Sequence, residues 1–422
     1  MKILFDYNDK NETMEDSGPE RAVLAVVDAG KYDLDESLDE LRALCETAGA
    51  TVLGEIVQRR ERPDSRGYFG AGKLAETKEF CERMNAELLV VDAELSGSQL
   101  RNIENAVGID VIDRTTLILD IFAKSAKTAE GKLQVELAQL GYRLPRLMGA
   151  RSELSRLGGG IGTRGPGESK LENDRRYIRT RMKALRERLD ALENRRDQTR
   201  RSRKKSEIPV VSLVGYTNVG KSSLLNALTG SNALCEDKLF ATLDPTARKL
   251  SVGDLQNVVL VDTVGFVSRL PHSLVDAFRS TLEEIAFSDL ILLVADASCE
   301  NWQRQLEVAL ETIIDLKCDD IPRVTIFNKC DLVDTAAALP GIPVSAKTGA
   351  GLPELIAELS RQLSEKVIRC KLRLPFDKVG VASFIREHGN VISEDYRDDG
   401  LWLTITIERA AYSKIEQYIA EG

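Results

Sequence analysis

Histidine is almost missing from this 422-residue chain. Only His272 and His388 occur, so a metal centre built on imidazoles is improbable as a plan for it. Cysteine excludes two more classes. The seven thiols, Cys45, Cys81, Cys235, Cys299, Cys318, Cys330 and Cys370, are odd in number, widely spaced and never in a C-x-x-C pair. That pattern suits neither a disulfide framework nor a thiolate zinc site, and it reads as thiols kept in a reducing compartment. Long apolar runs are missing too, none approaching the roughly 20 residues that cross a bilayer. The opening MKILFDYNDKNETMEDSGPE turns acidic after five residues, unlike a secretory leader. The expectation is a cytoplasmic protein with no transmembrane segment, partial membrane association being left open.

What remains is an ordinary soluble composition, 43% hydrophobic and 30% charged, in a chain too long for one core and long enough for two to four domains. The net charge of −9 argues against nucleic acid until its distribution is read. Between Lys170 and Lys205 there are 15 Lys and Arg against 6 Asp and Glu. A concentrated basic block on an acidic protein points to a local anionic partner.

Periodicity divides the chain. From residue 21 to about 125 short β-rich runs (AVLAVVD, TVLGEIVQ, ELLVVD, DVID) alternate with helical stretches, which implies a parallel sheet covered by helices, one α/β domain over residues 1–125. Over residues 126–206 the period changes. Leu133, Leu137, Leu140, Leu144 and Leu147 recur at helical spacing, as do Ile178, Met182, Leu185, Leu189 and Leu192. Each set lies along one helix seam, so a long antiparallel helical hairpin is expected, its first helix kinked at Pro145.

The stretch GGGIGTRGPGE, residues 158–168, connects the two helices and contains GIGTRG, a literal match to a dinucleotide fingerprint. Such a fingerprint needs a strand before it and a helix after it within a βαβ unit. LMGARSELSRL precedes it and is no strand. A glycine-rich tip carrying Arg164, flanked by Arg151 and Arg156, can instead bring bare backbone close to a phosphate-rich surface.

A second glycine motif passes the context test. PVVSLV leads into Gly215-Tyr216-Thr217-Asn218-Val219-Gly220-Lys221-Ser222, which fits G-x-x-x-x-G-K-[ST], and Ser223 continues into a helical SLLNALTG. Backbone N–H groups of such a loop wrap phosphates, Lys221 reaches the β and γ oxygens, and Ser222 ligates Mg²⁺. NVVLVDTVG is a strand ending in Asp262-Thr263-Val264-Gly265, with Asp262 placed to hold the Mg²⁺ hydration shell and Gly265 to offer its N–H to the γ-phosphate. RVTIFNKCD ends in Asn328-Lys329-Cys330-Asp331, the N-K-x-D signature of guanine-binding GTPases. Guanine's N1–H and 2-amino groups both donate, so Asp331 can accept both, whereas adenine leaves a carboxylate unsatisfied. Ser345-Ala346-Lys347 reads as the loop backing the guanine pocket. Between the phosphate loop and Asp262, the segment Phe240-Ala241-Thr242-Leu243-Asp244 is expected at the nucleotide. Thr242 and Thr246 compete there to cap Mg²⁺ and sense the γ-phosphate, with Thr242 preferred.

One position departs from many GTPases. The residue after D-x-x-G, often a water-orienting Gln, is Phe266, so intrinsic hydrolysis should be slow. Lys221, Thr242, Gly265 and Asn218 are the candidate catalytic residues. Asn218 resembles the Asn that binds K⁺ in cation-stimulated GTPases, with a plain loop-tying role weighed equally.

The chain resembles the HflX family, ribosome-associated GTPases of the translation-factor class. The resemblance rests on RRERPDSRGYFGAGKLAE, IDVIDRTTLILDIFAKSAKTAEGKLQVELAQLGYRLPRL, LSRLGGGIGTRGPGESKLENDRR, FATLDPTAR and VGFVSRLPHSLVDAFRSTLEE. It implies a fold with an N-terminal α/β domain, a hairpin whose glycine-rich tip enters the peptidyl-transferase region of the large ribosomal subunit, and a P-loop GTPase domain over 207–365. It further implies a role in splitting or rescuing stalled ribosomes under stress, and it favours Thr242 for Mg²⁺. Relatives' N-terminal domains have been credited with ATP binding, but Gly70-Ala71-Gly72-Lys73 lacks the full phosphate-loop pattern and reads as a turn before a helix. The resemblance thins over 366–422, which reads as a small βαββα domain.

The expected partners are GTP or GDP and the large subunit's RNA, the latter through residues 126–206, with the protein itself a monomer. A different class of function, a signalling GTPase regulating a protein partner such as a membrane-associated protease, uses the same hairpin as a docking arm. A docking helix of that kind need not be so arginine-rich. An RNA-modifying GTPase is weaker still, no methyl-donor or folate site being apparent.

Overall fold

The computed structural model describes residues 18–149, 166–205, 208–230, 239–240, 243, 245–252, 258–269, 274, 284–334, 338–364, 367–378 and 380–420. Two compact units divide the chain: residues 1–190 with 238–240 and 269–278 in the first, and residues 191–237, 241–268 and 279–422 in the second.

The first unit is built on β1 (Arg21–Asp28), α1 (Leu34–Ala48), β2 (Thr51–Arg59), α2 (Ala71–Met84), β3 (Leu88–Val91), α3 (Gly97–Val107), β4 (Asp110–Asp113) and α4 (Arg114–Ser125). Its sheet has the order β2-β1-β3-β4 with every pair parallel. β3 is buried at all of its residues, as a parallel strand covered on both faces must be. Local chemistry sets the helix ends. Asp33 accepts from the Asp35 and Glu36 N–H groups, Ser96 and Gln99 form a reciprocal capping box, and Asp113 accepts from Thr116. Val23, Ala25, Phe69, Leu89, Val91 and Ile103 form the core, each large side chain contributing about 1.5–3 kcal/mol by burial.

Two buried carboxylates at strand ends organise this unit. Asp92 accepts from Arg114 at 3.0 Å, from Ser37 at 2.6 Å and from Arg269 at 2.7 Å, and Arg114 also pairs with Glu40. Asp113 accepts from the Leu95 N–H, Tyr142 hydroxyl and Arg146, tying β4 to the next helix.

That helix, α5 (Ala129–Gly149), stays helical through Pro145 to Gly149, and α6 (Pro166–Lys205) follows. Leu133, Leu137, Leu140, Leu144 and Leu147 pack against Ile178, Met182 and Leu185. The pair is antiparallel: Glu136 near the start of α5 takes two bonds from Arg181, while the Leu147 carbonyl near its end accepts from the earlier Arg175. The connecting glycine-rich stretch lies outside the described residues up to 165.

In the second unit the strands β5 (Val210–Gly215), β6 (Thr246–Leu250), β7 (Val258–Asp262), β8 (Leu290–Asp296), β9 (Arg323–Asn328) and β10 (Ile342–Pro343) form one sheet. Their order is β10-β9-β8-β5-β7-β6, antiparallel only between β6 and β7. Helices α7 (Lys221–Thr229), α8 (Trp302–Asp315) and α9 (Leu352–Ser364) accompany it. β7 flanks β5 on one side and β8 on the other, so the strand order reverses at β5 and the loop leaving its carboxyl end sits at the topological switch point. The chain then builds a three-stranded antiparallel sheet, β11 (Val367–Leu374), β13 (Gly400–Glu408) and β12 (Gly389–Arg397) in that order, with α10 (Val381–His388). The alternating Leu401, Leu403, Ile405 and Ile407 face its core.

Candidate nucleotide site

The loop from Gly215 to Gly220 joins β5 to α7. Two of its residues take left-handed backbone, Asn218 at φ 62° and Gly220 at φ 86°. Glycine is needed at both ends. A Cβ on Gly215 would collide with the Val294 carbonyl, and one on Gly220 with the Asn328 amide. Lys221 opens α7 and is buried, its Nζ donating to the Gly215 carbonyl at 3.1 Å and the Tyr216 carbonyl at 2.7 Å. Burial pushes its ammonium down to about 8, and the nearby Asp262 charge only partly restores it. Ser222 donates to Asp262 Oδ2 at 2.6 Å, and Thr263 Oγ1 donates to the Leu213 carbonyl at 2.6 Å. Thr217 Oγ1 is buried with no hydrogen-bond partner among the described residues. Ser223 is half-buried in the first turn of α7, and Val219 and Val264 are buried beside the loop.

The N-K-x-D segment leaves β9 beside this loop. Asn328 donates from Nδ2 to the Val219 carbonyl at 2.9 Å and accepts at Oδ1 from the Ala346 N–H at 3.0 Å. Lys329, left-handed at φ 64°, pairs with Asp296 at 2.7 Å. Cys330 N–H donates to the Val344 carbonyl, and burial, then the Asp331 charge, raises its thiol above the ordinary value. Asp331 Oδ1 accepts from Ser345 Oγ at 2.6 Å, and Lys347 follows in the same loop. Gly215, Lys221, Asn328, Asp331, Ser345 and Ala346 are therefore linked through one hydrogen-bonded frame across the carboxyl ends of β5 and β9.

Ala241, Thr242 and Asp244 lie outside the described residues, while Leu243 is buried. Phe240 is buried in the first unit, its ring edge-on to Phe122 at 4.6 Å. Thr246 begins β6 opposite Asp262. Gly70 is a plain N-terminal cap of α2, its N–H bonded to Gln58, and Lys73 pairs with Glu76. Two features were not singled out by sequence reasoning: the Lys329–Asp296 pair and a contact from Tyr216 to Ser268. Both join residues 33 or more positions apart, so local pattern carries no trace of them.

A phosphate loop at the switch point of a doubly wound sheet, bonded to an N-K-x-D strand end, defines the class of P-loop GTPases. Comparisons narrow the class. Successive parts of the chain match the family descriptions "GTP-binding GTPase N-terminal" (35–123), "GTP-binding GTPase Middle Region" (125–203), "50S ribosome-binding GTPase" (210–329) and "HflX C-terminal domain" (331–421). The GTPase HflX of Caldanaerobacter subterraneus subsp. tengcongensis is 47% identical, covering 95% of this chain and 94% of its own. That of Escherichia coli K12 is 42% identical over 85% of this chain and 86% of its own. Among solved structures, the GDP complex of SsGBP is 26% identical with a TM-score of 0.47, covering 82% of this chain and 99% of that one. The chain belongs to the HflX family of GTPases, and it is a GTP-hydrolysing enzyme. The match over 331–421 extends to the C-terminal region where the motif-level resemblance thinned. No described helix is long and apolar enough to cross a membrane.

Proposed function

We propose that this GTPase acts on the large ribosomal subunit, splitting or rescuing stalled ribosomes under stress, with nucleotide state setting how long it stays bound. The observation that carries the reading is α6: a helix of 40 residues, roughly 60 Å long at ~1.5 Å per residue, with 15 cations against 6 anions from Lys170 to Lys205. An arm of that length and sign suits RNA phosphates, and the glycine-rich tip at 158–168 is assigned to close approach. The family description "50S ribosome-binding GTPase" supports it. In this reading residues 1–125, 126–206, 207–365 and 366–422 serve as separate modules.

Lys221 carries the positive charge for the β and γ oxygens, and Gly265 senses the γ-phosphate. Asp331 accepts the two guanine donors, Asn328 fixes the loops around them, and Ala346 and Lys347 back the base. The Ser222 hydroxyl and Asp262 carboxylate, in contact at 2.6 Å, are hard oxygens of the kind Mg²⁺ takes. Ser222 and Thr242 would hold that ion, which neutralises phosphate charge when bound. Asn218 is the residue assigned to K⁺. Phe266 is buried and has no group to orient water, so turnover depends on the ribosome ordering the switch segments.

Cosedimentation with large subunits tests this. Binding should be strong with a non-hydrolysable GTP analogue, weaker with GDP, and should fall steeply with salt. Deleting residues 158–167 should remove the ribosomal effect and leave nucleotide affinity intact. A partner retained through RNase and high salt would instead favour the signalling role, and turnover indifferent to ribosomes would overturn the proposal.

A further inference from the structure

The backbone after β7 is zipped onto the phosphate loop. Phe266 N–H donates to the Gly215 carbonyl at 3.1 Å and the Phe266 carbonyl accepts from Thr217 N–H at 2.7 Å, a parallel bridge between Tyr216 and Phe266. The zipper leaves no room at Gly265. A Cβ there would stand 2.8 Å from Thr217 Cα and 3.0 Å from Lys221 Nζ. A third phosphate has to lie between the glycine N–H, the loop and the lysine. In this conformation the Lys221 ammonium is bonded to two loop carbonyls and Gly265 is packed against the loop.

Two side-chain bonds fasten the zipper beyond Phe266. The Tyr216 hydroxyl donates to Ser268 Oγ at 2.9 Å and accepts from Ser268 N–H at 2.7 Å. Tyr216 is 9% exposed, Phe266 and Val267 are buried and Ser268 is half-buried, so the contact is partly shielded from water. Tyr216 stands at the second position of the phosphate loop, where the motif leaves the residue type free. Only a side chain as long as a phenol carries a hydroxyl from there to Ser268.

We propose that Tyr216 is the residue that sets the preference between guanosine diphosphate and triphosphate: its hydroxyl latches Ser268 and holds Gly265 over the third-phosphate position. The proposal rests on the assignment of Lys221 and Gly265 to the nucleotide phosphates. A diphosphate leaves the latch closed. A triphosphate opens it, exchanging both Tyr216 bonds for contacts to the γ oxygens. Tyr216→Phe keeps the ring packing and removes the hydroxyl, and with it both bonds to Ser268. Losing two part-buried hydrogen bonds shifts such an equilibrium roughly 5- to 30-fold toward the open form.

The test is equilibrium titration of the full chain with fluorescent GDP and a fluorescent non-hydrolysable GTP analogue. Wild type, Tyr216→Phe and Ser268→Ala are compared, with thermal unfolding to establish that each is folded. Tyr216→Phe should raise the ratio of analogue to GDP affinity roughly 5- to 30-fold. Ser268→Ala loses only the donated bond and should move in the same direction by less, and it decides alone if Tyr216→Phe does not fold. An unchanged ratio of the two affinities, or equal weakening of both nucleotides, overturns the latch while leaving the nucleotide site standing. If the wild-type chain binds neither guanine nucleotide, the site assignment falls and the latch with it.

Discussion

Asn328 holds Val219: its side-chain amide, buried in the frame of the site, reaches from the end of β9 to the phosphate-loop carbonyl 2.9 Å away. Its oxygen meanwhile accepts from Ala346, so one planar group fixes the distance between the loop that faces phosphates and the loop that backs the base. A planar amide donates from one arm and accepts on the other, which this bridge uses in full. Asn328→Ala should therefore weaken GDP and the GTP analogue together, by about tenfold or more, and lower stability by about 1–3 kcal/mol because a buried and a part-buried backbone group lose this partner. Calorimetric titration and denaturant unfolding read the two effects. A variant weakened toward only one nucleotide would contradict the assignment.

Asp331 presents a different signature. Its Oδ1 already accepts from Ser345 at 2.6 Å, which orients the carboxylate. Asp331→Asn replaces an acceptor by a donor facing guanine's own donors, so GTP affinity should fall by about 100-fold or more, toward the ~10⁴ limit of such sites. Competition titration with purine triphosphates differing at the 2-position reads the change. Retained preference for GTP would remove Asp331 from the base pocket.

These sites were legible because their chemistry is obligatory at fixed spacing. A lysine after two glycines, and an Asn–Asp pair at a strand end, have few structural substitutes. Strand and helix alternation in the first unit was legible for a similar reason, since AVLAVVD and ELLVVD bury both faces. The Asp92 network was not. Its members, Ser37, Glu40, Asp92, Arg114 and Arg269, lie as many as 232 positions apart and each reads alone as a surface charge or hydroxyl. Phe240 shows the same limit, because its apolar ring is buried against Phe122 and neighbouring residues carry no signal of that partner.

That network makes its own prediction. Burial alone would raise the Asp92 carboxyl, but Arg114, then Arg269, and the Ser37 bond outweigh it and hold the group below the ordinary carboxylate value. A depressed carboxylate stabilises the folded state above the ordinary value, about pH 4, and that stabilisation is lost as pH falls through its folded value. Asp92→Ala takes a buried carboxylate away from the buried Arg114 and should cost about 3–5 kcal/mol. Hydrogen exchange in peptides covering residues 88–122 reads the loss, and the gap between wild type and variant should narrow as pH drops below about 4. A gap that stays constant with acid would show that Asp92 acts through packing.

Lys221 gives the last prediction, with the opposite sign. In the free protein its ammonium is pushed down to about 8 by burial, so near that pH about half the molecules hold it neutral. A phosphate chain beside Nζ favours the charged form and must raise the value in the complex. Nucleotide binding at about pH 8 should then take up about half a proton per site, falling toward none at about pH 6.5, where the free lysine is already charged. Above pH 8 affinity should decline by up to about tenfold per pH unit. Calorimetry in two buffers of different ionisation enthalpy measures the uptake directly. Affinity that is level from about pH 7 to 9, with no proton uptake, would mean that the charge meeting the phosphates does not come from Lys221.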